Sequence, residues 1–560
     1  MVDHPSMTSV CEDRDKRIKC EIRISYPAFN LSEYETGKTP NEILDFLRSP
    51  GGHSLLIKGR AGTGKTTLAL QIIEELADEQ VDYYLSTRVS DESLYRQFPW
   101  LKEKAKRNEI LKAGKIFLTK ARPPEPKSAD KEQDSMLKAA QELISAFTGK
   151  NGEYSVIRTE LQKLEGQIES GELGDIEGDD FSLDYDGGSV TLDFGIMLPE
   201  LELAYDLAES HLPKRSLMVI DSIEALSEKY GITAQRIMST LQKDLVENSG
   251  TNIIYVMEAW ENTDLDYLGD GVIVMNSEER NGRRVREVII EKVRGSKIDQ
   301  WKYMFTLMNG RMHIFDPVWP GMPEQFNPHY PVNDPNPSRV SSGNENIDSV
   351  FGGFPRGAIS LIEVGPDVPQ EAVRRIELSL VADFLSKMRG VVWFPLTSMN
   401  YNLLNQQIEQ LINPDCVNKC LKILHHDSYT DTGYPFINVI EGSDASHDLK
   451  WNSLKYLLSG STAPHLSLLG YDALESIYAP DVMASTAGHL DAMRRLGNVI
   501  VAEATSSSNS LKALANQSTV HIKIESLSGT VMICGEKPHT KYHYLEFHND
   551  RLRPRLLPMV

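Results

Sequence analysis

Eight consecutive residues constrain this chain more than anything else in it. Gly59-Arg60-Ala61-Gly62-Thr63-Gly64-Lys65-Thr66 satisfies every fixed position of G-x-x-x-x-G-K-[ST]. The run before it, Ser54 to Lys58, is short and apolar and reads as a buried strand. The stretch after it, Lys65 to about Ala77, has the apolar spacing of a helix. Strand, glycine turn and helix in that order call for an α/β sheet, with the turn at the carboxyl end of a strand. The glycines let the main chain curl so that its N–H groups face an anion. The helix N-terminus adds partial positive charge. Lys65 is then placed to reach β- and γ-phosphates, and the Thr66 hydroxyl to ligate Mg2+. Gly59 to Thr66, with the adjoining Thr67, form the expected phosphate-binding set.

Such a loop needs a metal carboxylate on another strand. Leu217-Met218-Val219-Ile220-Asp221 is four apolar residues followed by an acid, so Asp221 is expected to hold Mg2+ through water. Glu224, three residues on, reads as a surface acid.

Composition narrows the class. The chain has 560 residues, enough for two large domains at about 150 residues or more each. Its 40% apolar and 25% charged residues are those of a folded protein. The formal charge is −21, with −5 carried by residues 341–560 and −16 by residues 1–340. A net negative field repels phosphate backbones, so nucleic acid is not the expected partner. Five cysteines make no disulfide framework in a chain this long and suit a reducing compartment. No stretch reaches the roughly 18–20 apolar residues of a spanning helix, and residues 1–20 lack the apolar core of a secretory signal. The expectation is a cytoplasmic protein without membrane association.

Organisation follows from punctuation along the chain. Residues 1–39 read as an irregular extension and 40–315 as a first domain. Within it, residues 165–186 hold nine carboxylates and no Lys or Arg, the mark of a solvated acidic insertion. Seven prolines between 316 and 338 cannot supply ladder donors and read as an extended linker. Residues 339–560 form a second domain, and the pattern begins again there. Lys292-Val293-Arg294-Gly295-Ser296, a Tyr/Phe strand and Asn309-Gly310-Arg311 have a counterpart in Cys534-Gly535-Glu536-Lys537, a Tyr/Phe strand and Asn549-Asp550-Arg551. The two halves read as a diverged repeat. Cys416-x-x-x-Cys420 with His425 and His426 lacks the spacing of a zinc finger and reads as ordinary thiols beside a polar loop.

The strand-loop-helix unit with Val219-Ile220-Asp221-Ser222 resembles the RecA-like ATPases, and within them the KaiC-like branch. Lys292-Val293-Arg294-Gly295-Ser296 is similar to the K-L-R-G-T segment of that branch. Ser342-Gly343 with Gly352-Gly353-Phe354-Pro355-Arg356-Gly357 resembles the lead-in that opens a KaiC domain. Lys58 to Leu70 with Tyr83 to Leu101 resembles archaeal GvpD-like proteins, named for a gas-vesicle regulator. The resemblance implies two tandem RecA-like α/β domains, each a parallel-centred sheet with helices on both faces. It implies ATP and Mg2+ as cofactors and a homo-oligomeric ring, a hexamer being one size to test. In such a ring Lys292 and Arg294 would reach the neighbouring subunit's nucleotide.

Two departures qualify the resemblance. The second domain has Gly365-Pro366-Asp367-Val368-Pro369-Gln370-Glu371 where its phosphate loop should be. No Lys or Thr stands there, two prolines remove donors, and Asp367 and Glu371 repel phosphate. That domain is expected not to bind ATP, which leaves Asp472, its counterpart of Asp221, without a metal. Paired glutamates that activate water are also missing, since their place reads Ser86-Thr87-Arg88. Asp91, Glu92 or Glu258 are the substitutes in reach. ATP binding is therefore better supported than fast hydrolysis.

The expected function is a regulatory ATP-binding protein. Slow or partner-stimulated hydrolysis at the first domain would set its oligomeric or protein-partner state. The alternative is a DNA-dependent RecA/RadA-like recombination or repair ATPase. The charge, the absent glutamates and the lack of a DNA-binding module weigh against it.

Overall fold

The structure is a computed structural model. It describes residues 37–86, 91–104, 184–186, 189–191, 215–258, 261, 264–317, 321–323, 325–397, 399–426, 433–478, 482–549 and 551–560. Most of the acidic insertion and Thr87 to Ser90 lie outside the described residues.

The first sheet has eight strands. They are β1 (Ser54–Gly59), β2 (Val81–Ser86), β5 (Ser216–Asp221), β6 (Asn252–Met257), β7 (Gly271–Arg280), β8 (Arg283–Val293), β9 (Lys302–Thr306) and β10 (His313–Ile314). A separate small hairpin, β3 (Asp184–Asp186) with β4 (Ser189–Thr191), stands between β2 and β5 in the chain. The sheet order is β10-β9-β8-β7-β1-β6-β5-β2. β2, β5, β6, β1 and β7 run parallel, and β7 to β10 continue antiparallel. β1 is buried along its whole length, which is why it reads as an unbroken apolar run. The helix Lys65–Leu76 covers one face and buries nine of its twelve residues.

The second sheet repeats this plan. Its strands are β13 (Ile359–Val364), β14 (Arg389–Phe394), β15 (Leu421–His425), β16 (Ile437–Val439), β17 (Thr462–Gly470), β18 (Val499–Thr505), β19 (Val520–Leu527), β20 (Thr530–Lys537), β21 (His543–Glu546) and β22 (Arg555–Pro558). A two-stranded pair, β11 (Arg339–Val340) with β12 (Phe354–Pro355), precedes them. The order β22-β21-β20-β19-β13-β18-β17-β14 matches the first sheet strand for strand, with β15 and β16 added at the far edge. The chain is thus an α/β protein of two tandem RecA-like units, and the diverged repeat is a repeat of topology.

The two antiparallel edges pack against each other. Val285, Met304 and Phe315 share one apolar cluster with Leu527, Met532, Tyr542, Tyr544 and Met559. Phe315 stacks on Tyr544 with ring centroids 4.6 Å apart. Arg283 of β8 donates to Gly535 O at 2.6 Å and Thr540 O at 2.7 Å. The proline-rich segment has no helix or strand among its described residues, but it is not a free tether. Phe326 and Val332 are buried, Val332 N donates to Asp383, and Asp334 pairs with Lys387 and Arg389. Among the described residues no helix is long and apolar enough to cross a membrane.

Candidate functional site

The loop between β1 and the helix Lys65–Leu76 stands at the carboxyl end of the central strand. Two of its glycines are required by geometry. Gly59 has φ 153°, and a Cβ there would lie 2.4 Å from Met275 O. Gly64 has φ 107° and caps the helix, with Leu307 already 3.0 Å from where a Cβ would be. Larger residues would push both main-chain segments out of place. Thr63 Oγ1 donates to Arg60 O at 2.9 Å and closes the turn.

Lys65 lies buried at the base of this loop. Its Nζ donates to Gly59 O at 2.7 Å and Arg60 O at 3.0 Å, and pairs with Glu258 Oε2 at 3.2 Å. Thr66 Oγ1 donates to Asp221 Oδ2 at 2.6 Å. Parallel pairing of β1, β6 and β5 brings these groups together, because Asp221 and Glu258 both stand at strand ends beside Gly59. Arg60 and Ala61 are exposed, and Thr67 is buried in the first turn of the helix. Glu92 sits in the short helix Asp91–Gln97.

Two participants were not read from the sequence. Tyr84 of β2 donates its hydroxyl to Asp221 Oδ2 at 2.9 Å. Burial, and then the Asp221 charge, push the Tyr84 phenol well above its usual range, so it stays a donor. Glu224 accepts from Glu258 N at 2.7 Å, so it braces the strand end that carries Glu258 instead of facing solvent as expected. The pairing of β2 with β5 places Tyr84, and no local pattern announces which strands will be neighbours.

Lys292 and Arg294 do not join this loop within one chain. Lys292 is level with Val272 and hence with Leu56, about 10 Å back along the sheet from Gly59. Arg294 bonds to Asp270, which bonds to Ser54 at the opposite end of β1, roughly 17 Å from the loop. Lys292 donates to Asp266 O and Gly269 O. Burial, and Arg294 beside it, hold its ammonium below the usual lysine range.

The donor set suits a phosphate and a hard cation. A buried ammonium, a helix N-terminus and glycine-shaped backbone meet an anion. A threonine hydroxyl and an aspartate carboxylate within 2.6 Å are hard oxygen donors of the kind Mg2+ takes. In the second unit, the loop between β13 and the helix Gln370–Ser386 holds neither the ammonium nor the hydroxyl. Asp472 there accepts from Thr505 N at 2.8 Å and so ties the ends of β17 and β18 together.

The fold and the loop together define a P-loop protein of the nucleotide-binding NTPase class. Residues 43–291 match the family model described as GvpD gas vesicle protein, P-loop domain. Over 387 residues the chain is 23% identical to Protein GvpD2 of Halobacterium salinarum, covering 67% of this chain and 64% of that one. It is 22% identical over 383 residues to Protein GvpD1 of the same organism, covering 67% and 59%. The matched stretch spans about three-fifths of the length of these curated relatives. Residues 43–291 are therefore similar to a GvpD P-loop domain, and the similarity to the two curated proteins extends over 67% of the chain.

Proposed function

We propose that the chain is a regulatory ATP-binding protein whose first unit takes Mg-ATP and turns it over slowly. The observation that carries this reading is the 2.6 Å pairing of Thr66 with Asp221, beside a buried Lys65 at the base of the loop. Gly59 to Thr67 would cradle the phosphates, Lys65 would balance their charge, and Thr66 and Asp221 would hold the cation. Bound Mg2+ supplies neutralisation of charge on the β- and γ-phosphates. Glu258 is the carboxylate in reach of the reacting end. Its carboxylate is held by Lys65 at 3.2 Å instead of being aimed at an attacking water, which favours slow turnover. Slow turnover suits a switch that persists long enough to set an oligomeric or protein-partner state.

The placement of Lys292 and Arg294 far from the loop of their own chain supports a role in trans, in a homo-oligomeric ring. Isothermal titration with ATP and Mg2+ tests the site. Lys65→Ala should weaken binding at least a hundredfold, because the phosphate cation is lost. Equal affinity in the two proteins discards the proposal. Mixing Lys65→Ala with Arg294→Ala subunits should restore part of the ATPase lost by each, and no recovery removes the shared site.

A further inference from the structure

β7 and β8 run on past the end of β1. Val288 is level with Met275 and Gly59, so Arg286, two residues earlier on β8, stands over the phosphate loop. Its Nη1 donates to Gly62 O at 3.1 Å and Thr63 O at 3.3 Å. Its Nε donates to Val560 O at 2.5 Å, and its main-chain N meets Met559 Sδ at 3.3 Å. The residue is 5% exposed, and among the described residues its guanidinium meets only main-chain oxygens. One buried side chain therefore holds the loop of the first unit and the tail that follows β22 of the second.

The tail is itself held in place. Thr306 of β9 donates to Pro558 O at 2.8 Å and accepts from Val560 N at 3.3 Å. Met559 N donates to Tyr542 O at 2.9 Å. The geometry has a consequence for the loop. In a trans peptide the C=O and the following N–H point opposite ways. An arginine that grips the carbonyls of Gly62 and Thr63 fixes the two peptide planes that follow them: the Thr63 N–H is left to close the turn on Arg60 O at 3.3 Å, and the Gly64 N–H is turned away from the guanidinium.

We propose that Arg286 is a positioning residue for the phosphate loop and that residues 558–560 set its grip, so that the second unit controls nucleotide affinity of the first within one chain. The inference rests on the ATP-binding reading above and adds to it the regulation of that site. The unit without a phosphate loop thereby acquires a regulatory role. A partner or conformational change that shifts the tail alters ATP affinity without touching the nucleotide.

Titration of the full chain with ATP and Mg2+ tests this. Arg286→Ala should weaken ATP at least tenfold when titrated at a temperature well below the variant's own melting point, which the loss of three hydrogen bonds from a buried side chain will lower. Arg286→Lys, which has a single cationic head and cannot bridge both partners, should recover part of that loss. Thr306→Val loosens the tail without touching the loop and should weaken ATP three- to tenfold. The decisive readout is the double variant. The Thr306→Val effect should vanish in the Arg286→Ala background, since both act through one contact. Full additivity, or Arg286→Ala binding ATP like the unmodified protein, overturns the inference. If the unmodified protein binds no ATP, the functional reading fails by itself. The coupling is then read by amide hydrogen exchange at residues 60–64, which Thr306→Val speeds if the tail sets the loop and leaves unchanged if it does not.

Discussion

Thr66 and Tyr84 converge on a single oxygen of Asp221, at 2.6 Å and 2.9 Å. A half-buried carboxylate with two hydroxyl donors is fixed in direction, which a water-mediated metal ligand requires. The tyrosine hydroxyl is the less expected of the two, because it comes from β2, whose end reads Ser86-Thr87-Arg88 and carries no carboxylate. Tyr84→Phe keeps the ring packing and removes one donor from a charged acceptor. It should lower stability by about 1–3 kcal/mol, read from denaturant unfolding. It should also weaken the Mg2+ dependence of nucleotide binding, and an unchanged Mg2+ titration would show that the orientation of Asp221 does not depend on Tyr84.

At the level of elements, one strand-loop-helix unit occurs twice and one copy carries the lysine and threonine of a phosphate loop. After β1 the helix begins with Lys65 and Thr66; after β13 it begins with Gln370 and Glu371. The acid at the end of the neighbouring strand has changed work accordingly. Asp221 accepts from the hydroxyl of the loop's own Thr66, whereas Asp472 accepts from both the main-chain N and the hydroxyl of Thr505 at the end of β18. Glu475 accepts from the main-chain N of Asn509 and Ser510. In the second unit Asp472 ties the end of β18 and Glu475 ties the segment leading into the helix Leu511–Gln517. Asp472→Ala should therefore cost about 1–3 kcal/mol of stability by leaving a main-chain donor unmet. ATP affinity in the same protein should be unchanged, and a parallel loss of affinity would mean that the second unit takes nucleotide after all.

For the whole molecule, the antiparallel edges of the two sheets meet across a shared apolar cluster, so stability of the second unit bears on the first. That unit carries a buried acid pair beneath the helix Gln370–Ser386. Glu503 is fully buried, and among the described residues neither of its oxygens meets an N–H or hydroxyl donor. Glu377 is beside it and pairs with Arg374 at 3.0 Å. Burial and the Glu377 carboxylate push Glu503 well above the usual glutamate range, with Arg374 pulling the other way. The native state then holds a proton that the unfolded chain releases above pH about 4.3. Its contribution to stability is fully present below that pH and is lost as pH rises toward the native value. Glu503→Gln keeps the shape without titrating. Its denaturation midpoint should fall less than that of the unmodified protein between pH about 5 and 8. Superimposable pH profiles would show that Glu503 is ionised in the fold.

The phosphate loop, the strand and helix around it, the acid of β5 and the repeat of two α/β units were legible in the sequence because each is local. Glycine at a strained φ, an apolar run and the order of elements leave marks within a few residues. Residues 316–338 read from the sequence as an extended linker, and nothing in that reading announced the docking of Val332 and Asp334 on the second unit. What the tertiary structure alone decided is which distant residues meet. Tyr84 reaches Asp221 because β2 and β5 are neighbours, and Glu224 reaches the end of β6 because a helix turns back onto it. Arg286 touches both the loop and Val560 because two sheets pack edge to edge. Strand neighbours and sheet contacts are set by the burial of whole faces, a sum over many residues that no short pattern encodes.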